Sequence, residues 1–240
     1  MVKEKIILGV WSKQNLDGFL AKSSKIDNVG ERIAFLSREF LGTPYEASTL
    51  IGGPITPEIP VVNLAAFDCF TFLDCIEAMR LSRSYDNFCE NLIRVRYREG
   101  KMGYERRNHF FTDWLLYNAK FVRDRTEMIG GKKTRKVTKM LNRAYDGSLF
   151  LAGIKPFERT ISFIPAAQID ESTNLQLRTG DYIGIYTDQT GLDVSHVGIL
   201  VNDGLAPCFR HASSAAGKVV EENFIRYISG KPGITIFRPY

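Results

Sequence analysis

The chain contains few of the residues on which metal sites and disulfide frameworks depend, with four cysteines and three histidines among 240 residues. No two cysteines form a CxxC pair, which argues against a zinc ribbon and against a thioredoxin-type redox motif. A chain of this length does not need a disulfide framework for stability, although the number of cysteines is even.

Long apolar runs are also missing. The first residues, "MVKEKIILGVW", contain an apolar stretch that is too short for a signal peptide or for a membrane span. We therefore expect no membrane span, and either a cytoplasmic protein or a mature form whose leader has been removed.

Neither sign of charge dominates, because the chain has 32 basic and 27 acidic residues and a net charge of +5. This mild excess fits an anionic partner such as nucleic acid or a cell-wall polymer, and does not choose between them. The densest basic run, 132–136, has no interleaved aromatic residues. We interpret it as a solvated loop or helix start, with a nucleic-acid patch as the weaker alternative.

The first half of the chain has helical patterns. Asn28 is a candidate cap of a helix that Gly42 ends, and a loop rich in Gly and Pro follows over 43–60. A helix that is apolar on most sides is predicted from Phe70 to about Leu81, and another from Phe111 to Val122.

After about residue 160 the segments are short and rich in β-formers, and Asp203-Gly204 marks a hairpin turn. The order of helices and then antiparallel strands predicts an α+β fold. We expect a single domain over 1–240, with helices in 1–125, a linker or insert in 126–160 and an antiparallel sheet in 161–240.

The stretch "AFDCFTFLDC" contains the candidate nucleophile. Cys69 lies where the predicted helix begins, directly after Asp68, a possible cap. A helix N-terminus and a nearby imidazole favour the reactive thiolate. Cys75 faces away, since six residues turn a helix by about 240°. We assign Cys75, Cys89 and Cys208 to packing.

Two histidines are candidates for the base. In "DVSHVGILV", strict alternation places His196 on one strand face and the β-branched residues on the other, which we expect to be the core. His211 lies in the strand after the predicted hairpin, within reach of His196. A second imidazole can orient the first, as the third member of a triad does.

Five segments in this order, "LGTPY", "FDCFTF", "RTGD", "SHVGILVNDG" and "FRHASSAAGKVV", resemble the papain-like cell-wall hydrolases of the NlpC/p60 superfamily. The resemblance implies a papain-like fold in which a helix bearing the catalytic cysteine packs on a small antiparallel sheet. It implies Cys69 as nucleophile, His196 as general base and His211 as the orienting residue.

The sequence resembles one subfamily more closely, that of N-acetylmuramoyl-L-alanine amidase-like proteins. Two segments indicate this subfamily, "YREGKMGYERRNHFFTDW" and "GLDVSHVGI". The first of them implies a helical insertion. Ordinary superfamily members have "DCSG" where this chain has 68–71 as "DCFT", which argues against their endopeptidase specificity.

The resemblance therefore implies a cysteine amidase that cuts between N-acetylmuramic acid and L-alanine in peptidoglycan fragments, including those with a 1,6-anhydro sugar. The alternatives are an endopeptidase that cuts the stem peptide between D-glutamate and a diamino acid, a silent wall-binding module, and a metal site formed by Cys69, His196 and His211. We expect no cofactor, no metal, no nucleic-acid partner, a monomer, and a periplasmic or exported location, with a cytoplasmic one as the alternative.

Four further residues are candidates for substrate binding, each with a structural alternative. Tyr45 is either close to the cysteine or a turn residue. His109 and Trp114 line the cleft, unless Trp114 is a core residue of an amphipathic helix. Arg107, beside Arg106, binds a substrate carboxylate or is solvated. Asp181 is expected to shape the start of a strand.

Overall fold

The computed structural model describes residues 4–202 and 206–240, and the predicted turn at Asp203-Gly204 lies outside them. The chain divides into two compact units. Unit 1 comprises Met1–Arg107 and Arg210–Glu221, and unit 2 comprises Asn108–Phe209 and Glu222–Tyr240. None of the described helices is long and apolar enough to cross a membrane. The expectation of one domain over 1–240 stays a prediction.

Unit 1 is mainly helical. Its elements are β1 (Lys5–Ile7), α1 (Lys13–Ser23), α2 (Val29–Arg38), β2 (Val61–Asn63), α3 (Cys69–Arg80) and α4 (Tyr85–Arg96). The two short strands pair in parallel. Helix α3 is the centre of the unit, because every residue from Thr71 to Arg80 is buried.

Local sequence and buried charge together fix the helices of unit 1. The Asn28 side chain caps α2 by accepting the N–H of Glu31, as predicted. Within the interior, Arg96 of α4 donates from Nε to Asp74 of α3 at 3.0 Å and from Nη1 to the carbonyl of Val61 at 2.7 Å. This buried arginine therefore connects α3, α4 and β2. Losing either charge would leave the other unpaired in the interior.

Unit 2 contains most of the strands. Its elements are α5 (Phe111–Tyr117), β3 (Val122–Asp124), α6 (Thr126–Gly130), β4 (Arg135–Leu141), β5 (Phe157–Pro165), α7 (Glu171–Asn174), β6 (Tyr182–Tyr186), β7 (Val194–Val201), α8 (Phe224–Ile228) and β10 (Gly233–Pro239). The strand order is β4-β5-β10-β6-β7, and β3 also pairs with β10. The described pairings β3–β10, β4–β5, β5–β10, β6–β10 and β6–β7 are all antiparallel. Strands β8 (Cys208–Ser213) and β9 (Lys218–Asn223) contain residues of both units.

The two faces of the unit 2 sheet are both covered. Ile234 and Ile236 of β10 belong to a buried cluster that also contains Ile183, Leu200 and Phe209. On the opposite face Phe111 stacks on Phe237, with ring centroids 4.3 Å apart. A Cβ on Gly184 would lie 2.6 Å from the Phe111 ring. Glycine is therefore required for α5 to approach the sheet so closely.

The mixed α+β class is confirmed, with a mostly antiparallel sheet and with strands β4 to β10 following most of the helices. The predicted boundary between the linker and the sheet is wrong. The segment 126–160, predicted as a linker or insert, contains α6, β4 and the start of β5, so the sheet begins before residue 161. Arg135 and Lys136, at the end of the basic run, are the first residues of β4.

The helix predicted over Phe111–Val122 ends at Tyr117. Asn118 is buried and donates from both its backbone N–H and its side-chain amide to the carbonyl of Trp114. This side chain competes with a further helical turn. Val122 then begins β3.

Candidate active site

The local sequence places Cys69 at the first position of α3. Asp68 is the N-cap, and its Oδ1 accepts the N–H groups of Phe70 at 3.0 Å and Thr71 at 2.7 Å. Thr71 Oγ1 accepts the N–H of Asp68 in return at 3.0 Å, which completes a capping box. The predicted helix start is confirmed. The partly exposed thiol therefore lies at the positive end of the helix dipole.

The backbone before Cys69 is fixed on both sides. Asn63 Oδ1 accepts the N–H groups of Ala65 and Ala66, which forms a turn after β2. The N–H of Phe67 donates to the carbonyl of Pro44 at 3.0 Å, and its carbonyl accepts from Glu46 at 3.0 Å. Segment 44–46 therefore lies beside the backbone that leads to the nucleophile.

Tyr45 lies within this segment and is close to the thiol. Burial, and then the negative charges of Cys69 and Asp68, raise the pKa of the Tyr45 phenol above its usual value. The phenol is therefore protonated at neutral pH and is available as an O–H donor. The N–H of Tyr45 donates to the carbonyl of Gly217 at 2.8 Å, so the turn between β8 and β9 also holds this residue.

The other thiols have packing environments. Cys75 is fully buried in α3, and burial raises its pKa to about 12. Burial also raises the pKa of the Cys89 thiol. Cys89 lies in the second turn of α4. The Sγ of Cys208 donates to the carbonyl of Ala206 at 3.7 Å. The packing interpretation of Cys75 is confirmed.

His211 lies in β8 and is only 1% exposed. The neighbouring Arg210 fixes this part of the strand within unit 1. It donates to Glu221 Oε1 of β9 at 2.6 Å, and to Ser37 Oγ and the carbonyl of Ala34 in α2 at 2.6 and 2.7 Å. Glu221 and the two α2 acceptors hold the strand that bears the imidazole.

His196 lies in β7 of unit 2, opposite Ile185 of β6. Its ring is partly buried, with centroids 6.0 Å from Phe209 and 6.2 Å from Tyr227. The predicted division of β7 into a core face and a histidine face is wrong, because Leu200, on the same face as His196, belongs to the buried cluster with Phe209. Two aromatic side chains therefore lie beside the imidazole.

The structure describes Cys69, Tyr45 and His211 within unit 1 and His196 within unit 2. The grouping of these four residues into one catalytic site stays a prediction. Within the described residues, no group of three or more His, Cys, Asp or Glu side chains is placed to hold a metal ion.

Arg107 has a partner within unit 1. It forms a bidentate pair with Glu58, with both N···O distances at 2.7 Å, and Tyr97 donates its hydroxyl to Glu58 Oε1 at 2.6 Å. A Cβ on Gly52 would lie 1.9 Å from Glu58 Oε2, and Gly52 has a φ of +142°. This pair therefore anchors the Gly- and Pro-rich loop. The Arg107 side chain is only 12% exposed, so the solvated alternative is wrong, and its contact with a substrate carboxylate stays a prediction.

Trp114 is 0% exposed, and its ring centroid lies 5.5 Å from that of Tyr182 in an edge-on arrangement. An indole without exposed surface cannot stack on a sugar, so the core alternative is correct and the predicted substrate contact is wrong in this conformation. His109 lies one residue before the cap of α5 and is partly exposed. Its predicted contact with substrate stays a prediction.

Asp181 is fully buried before β6 and has a structural role, as expected. It forms a bidentate pair with Arg238 of β10, at 2.7 and 2.8 Å. Asp181 Oδ2 also accepts the N–H of Arg178 at 2.8 Å. The carboxylate therefore joins the turn before β6 to the last strand of unit 2.

Asp193 is a residue that the sequence did not single out. Its Oδ2 accepts both the N–H of Thr112 at 2.7 Å and the Thr112 hydroxyl at 2.9 Å, and its Oδ1 accepts the N–H of Val194 at 2.8 Å. The N-cap of α5, Phe110, has no side-chain oxygen that could accept these N–H groups. Asp193 caps the helix instead, from 81 positions after Thr112. Asp193 therefore connects α5 to the start of the strand that bears His196.

Replacing Asp193 with Ala is expected to lower the free energy of unfolding by about 1–3 kcal/mol, because the partly buried N–H and hydroxyl of Thr112 lose their acceptor. Asp193→Asn retains one acceptor oxygen, so its free energy of unfolding should fall by less. Urea unfolding of the three proteins measures this order. Equal stability of Asp193→Ala and the parent would contradict the capping role.

The pH dependence of stability gives a second readout of Asp193. Burial raises the pKa of its carboxyl, although the bonds from Thr112 and Val194 act against burial. The folded state then holds the proton more tightly than the unfolded state does. This group's contribution to stability therefore falls as pH rises from the ordinary carboxyl range through the raised pKa, and the alanine variant should lack that component.

Comparisons with known proteins agree with this fold. A family model described as AmiA-like, N-acetylmuramoyl-L-alanine amidase-like, matches residues 35–234. The crystal structure of a Legionella pneumophila protein of the DUF1460 family is similar with a TM-score of 0.81 at 24% identity, over 95% of this chain and 94% of that one. An N-acetylmuramoyl-L-alanine amidase from Bacteroides uniformis is similar with a TM-score of 0.73 at 26% identity, over 88% of this chain and 99% of that one. Curated proteins gave no significant match.

Proposed function

The chain belongs to the AmiA-like family of N-acetylmuramoyl-L-alanine amidase-like proteins, and on this premise we propose that it is a cysteine amidase acting on peptidoglycan fragments. The family match is the observation that carries the proposal. The place of Cys69 at the first position of α3, beside Tyr45, supports a thiol nucleophile. A papain-like arrangement, an exported location and a monomeric state belong to the proposal.

The proposed reaction is an acyl transfer in two steps. The sulfur of Cys69 attacks the lactyl carbonyl carbon of N-acetylmuramic acid, where it is joined to L-alanine. The S–C bond forms, the C–N bond breaks, and protonated His196 gives a proton to the leaving amine. Water then attacks the thioester, with His196 as base, and releases the lactyl carboxylate and the thiol. His211 orients the imidazole of His196.

The negative charge that develops on the carbonyl oxygen needs donors. Asp68 already accepts the N–H groups of Phe70 and Thr71. The proposal therefore assigns the oxyanion to the backbone N–H of Cys69 and to the hydroxyl of Tyr45. The raised pKa of the Tyr45 phenol supports its role as a donor, because the group keeps its proton well above neutral pH.

Replacing Tyr45 with Phe is expected to lower kcat by roughly ten- to several-hundredfold with little change in KM, because the hydroxyl acts on a charge present only in the transition state. The ring and the backbone bond to Gly217 remain in this variant. Steady-state kinetics of both proteins measure the effect. A rise in KM at unchanged kcat would instead assign Tyr45 to ground-state binding.

Product masses test the bond that is cut. The parent protein is incubated with a muropeptide of known structure, in one arm with a reducing-end sugar and in the other with a 1,6-anhydro sugar. An amidase releases the sugar and the intact stem peptide. An endopeptidase would leave a dipeptide on the muramic acid, and an unchanged substrate in both arms would favour a wall-binding module. Cleavage in one arm alone identifies the preferred sugar.

A further inference from the structure

Unit 2 contains a pocket of about 550 Å³ that none of the catalytic candidates lines. This volume is in the range of small-molecule sites. Apolar side chains, hydroxyl groups and two arginines line it: Thr112, Leu115, Leu116, Ala119, Val122, Arg123, Asp124, Arg159, Thr160, Ile161, Ser162, Thr235 and Phe237.

The pocket lies where the sheet of unit 2 divides. Strand β10 pairs with β5 only through Ile164 and Pro165, and with β3 through the last residues of β10, from Phe237 onward. One edge of β5 pairs with β4 along 157–163. The other edge pairs with β10 only at its end, so within the described residues it has no strand neighbour over 159–162. The pocket fills the space between the diverging strands.

Four consecutive residues of β5, 159–162, line this pocket. Successive side chains of a strand point to opposite faces, so side chains alone cannot place all four against one cavity. The backbone edge itself must therefore border the pocket. Such an edge presents N–H and C=O groups to an extended peptide, which can bind as an added strand.

Two polar groups at this pocket have no hydrogen-bond partner among the residues described. Thr235 is 1% exposed, and its Oγ1 has no hydrogen-bond partner among the described residues. Arg159 donates from Nη2 to Asp113 at 2.5 Å, but its buried Nε has none. Leaving such groups unpaired costs free energy, which a ligand with acceptor oxygens would recover.

One arginine at the pocket can meet a ligand anion. Arg159 is already paired with Asp113, and Asp124 accepts the N–H of Thr126 at 2.8 Å, whereas Arg123 forms no ion pair with a described carboxylate. The apolar walls, with Leu115, Ile161 and Phe237, suit an aliphatic flank. A ligand therefore needs a carboxylate, an apolar side chain and a backbone.

We propose that this pocket binds a short extended peptide with a free carboxylate and small aliphatic side chains. Its backbone pairs with the open edge of β5, and its carboxylate accepts from Thr235 and Arg123. This binding is separate from the proposed hydrolysis, and neither Cys69 nor a histidine takes part in it.

Calorimetric titration of the full chain tests the proposal with three probes: N-acetyl-Val-Ala-Val with a free carboxylate, the same peptide as its C-terminal amide, and inorganic phosphate. The acid should bind at least tenfold more tightly than the amide, and phosphate should bind weakly. Cys69→Ala should bind the acid like the parent. Equal binding of acid and amide, tight binding of phosphate alone, or no binding of the acid would overturn the proposal.

Two variants locate the binding. Thr235→Val replaces the hydroxyl by a methyl group of similar size, so it should fold at least as stably as the parent and bind the acid about tenfold more weakly. Arg123→Gln should weaken binding severalfold, and Lys132→Gln, an equal loss of charge at an exposed residue outside the pocket, should not. A folded Thr235→Val protein that binds like the parent would place the peptide elsewhere and overturn the assignment.

Discussion

Replacing Cys69 with Ala is expected to lower the rate of muropeptide hydrolysis by on the order of 10⁴-fold or more, because the proposed covalent path loses its nucleophile. The fold should be unaffected. The Asp68–Thr71 capping box does not involve the thiol, and alanine favours helices. Hydrolysis rates, with thermal unfolding as the check on folding, measure the effect.

Cys75→Ala is the matched control. It removes a thiol from the same helix at a fully buried position where the pKa is raised to about 12. We expect a small loss of stability from the cavity and an unchanged rate per folded molecule. If Cys69→Ala hydrolyses muropeptides at the parent rate, or if Cys75→Ala loses activity while folded, then Cys69 is not the nucleophile.

Replacing His196 with Ala is expected to lower kcat/KM by on the order of 10³-fold or more, because proton transfer contributes to both steps of the proposed reaction. Ser195→Ala is a suitable control in the same strand. The register shift between β6 and β7 falls at this residue, and its exposed side chain only donates a long bond, 3.4 Å, to the carbonyl of Ile185. We expect this control to keep the parent rate.

The pH profile separates a base from a structural residue at position 196. A thiolate–imidazolium pair gives a bell-shaped dependence of kcat/KM on pH, whose limbs belong to the pair. His211→Ala should lower the rate but keep that shape, since His211 only positions the ring. A parent rate that climbs steadily through pH 9 without a plateau would show an unactivated thiol and a wrongly assigned base.

Elements with local signals were predictable from the sequence. The start of α3 at Cys69 follows from an aspartate cap and a threonine three residues later, and α2 follows from Asn28 in the same way. The strands β6, β7 and β10 have β-branched runs bounded by turn residues. The capping bonds of the two helices join residues three positions apart, whereas the strand patterns predict strands without their partners, because β10 pairs with β6 and β3 far away in the chain.

The wrong or missing predictions concern interactions that are distant in sequence. Strand β7 is buried on both faces because Leu200 contacts a cluster that includes Phe209 of another strand, and alternation within one strand does not reveal this. Asp193 caps a helix 81 residues away. Arg107 is held by Glu58, 49 residues earlier. Sequence patterns did not predict these contacts, because the contacting residues are far apart in the chain and have no local signature.

The two segments that indicated the amidase subfamily are connected in the structure. Thr112, in "RNHFFTDW", donates to Asp193, in "GLDVSHVGI". The helix after His109 and the strand that bears His196 are thus linked by one buried carboxylate. This contact gives a physical reason for the two motifs to occur together in one chain.

The most direct test of the account is the mass of the protein trapped during turnover. The parent is mixed with a muropeptide, quenched in acid within milliseconds to seconds, and its intact mass and peptide map are measured. The account predicts a thioester on Cys69 that carries the muramic acid moiety without any amino acid. An adduct that retains the L-alanyl-D-glutamyl dipeptide, or an adduct on a residue other than Cys69, would contradict the account.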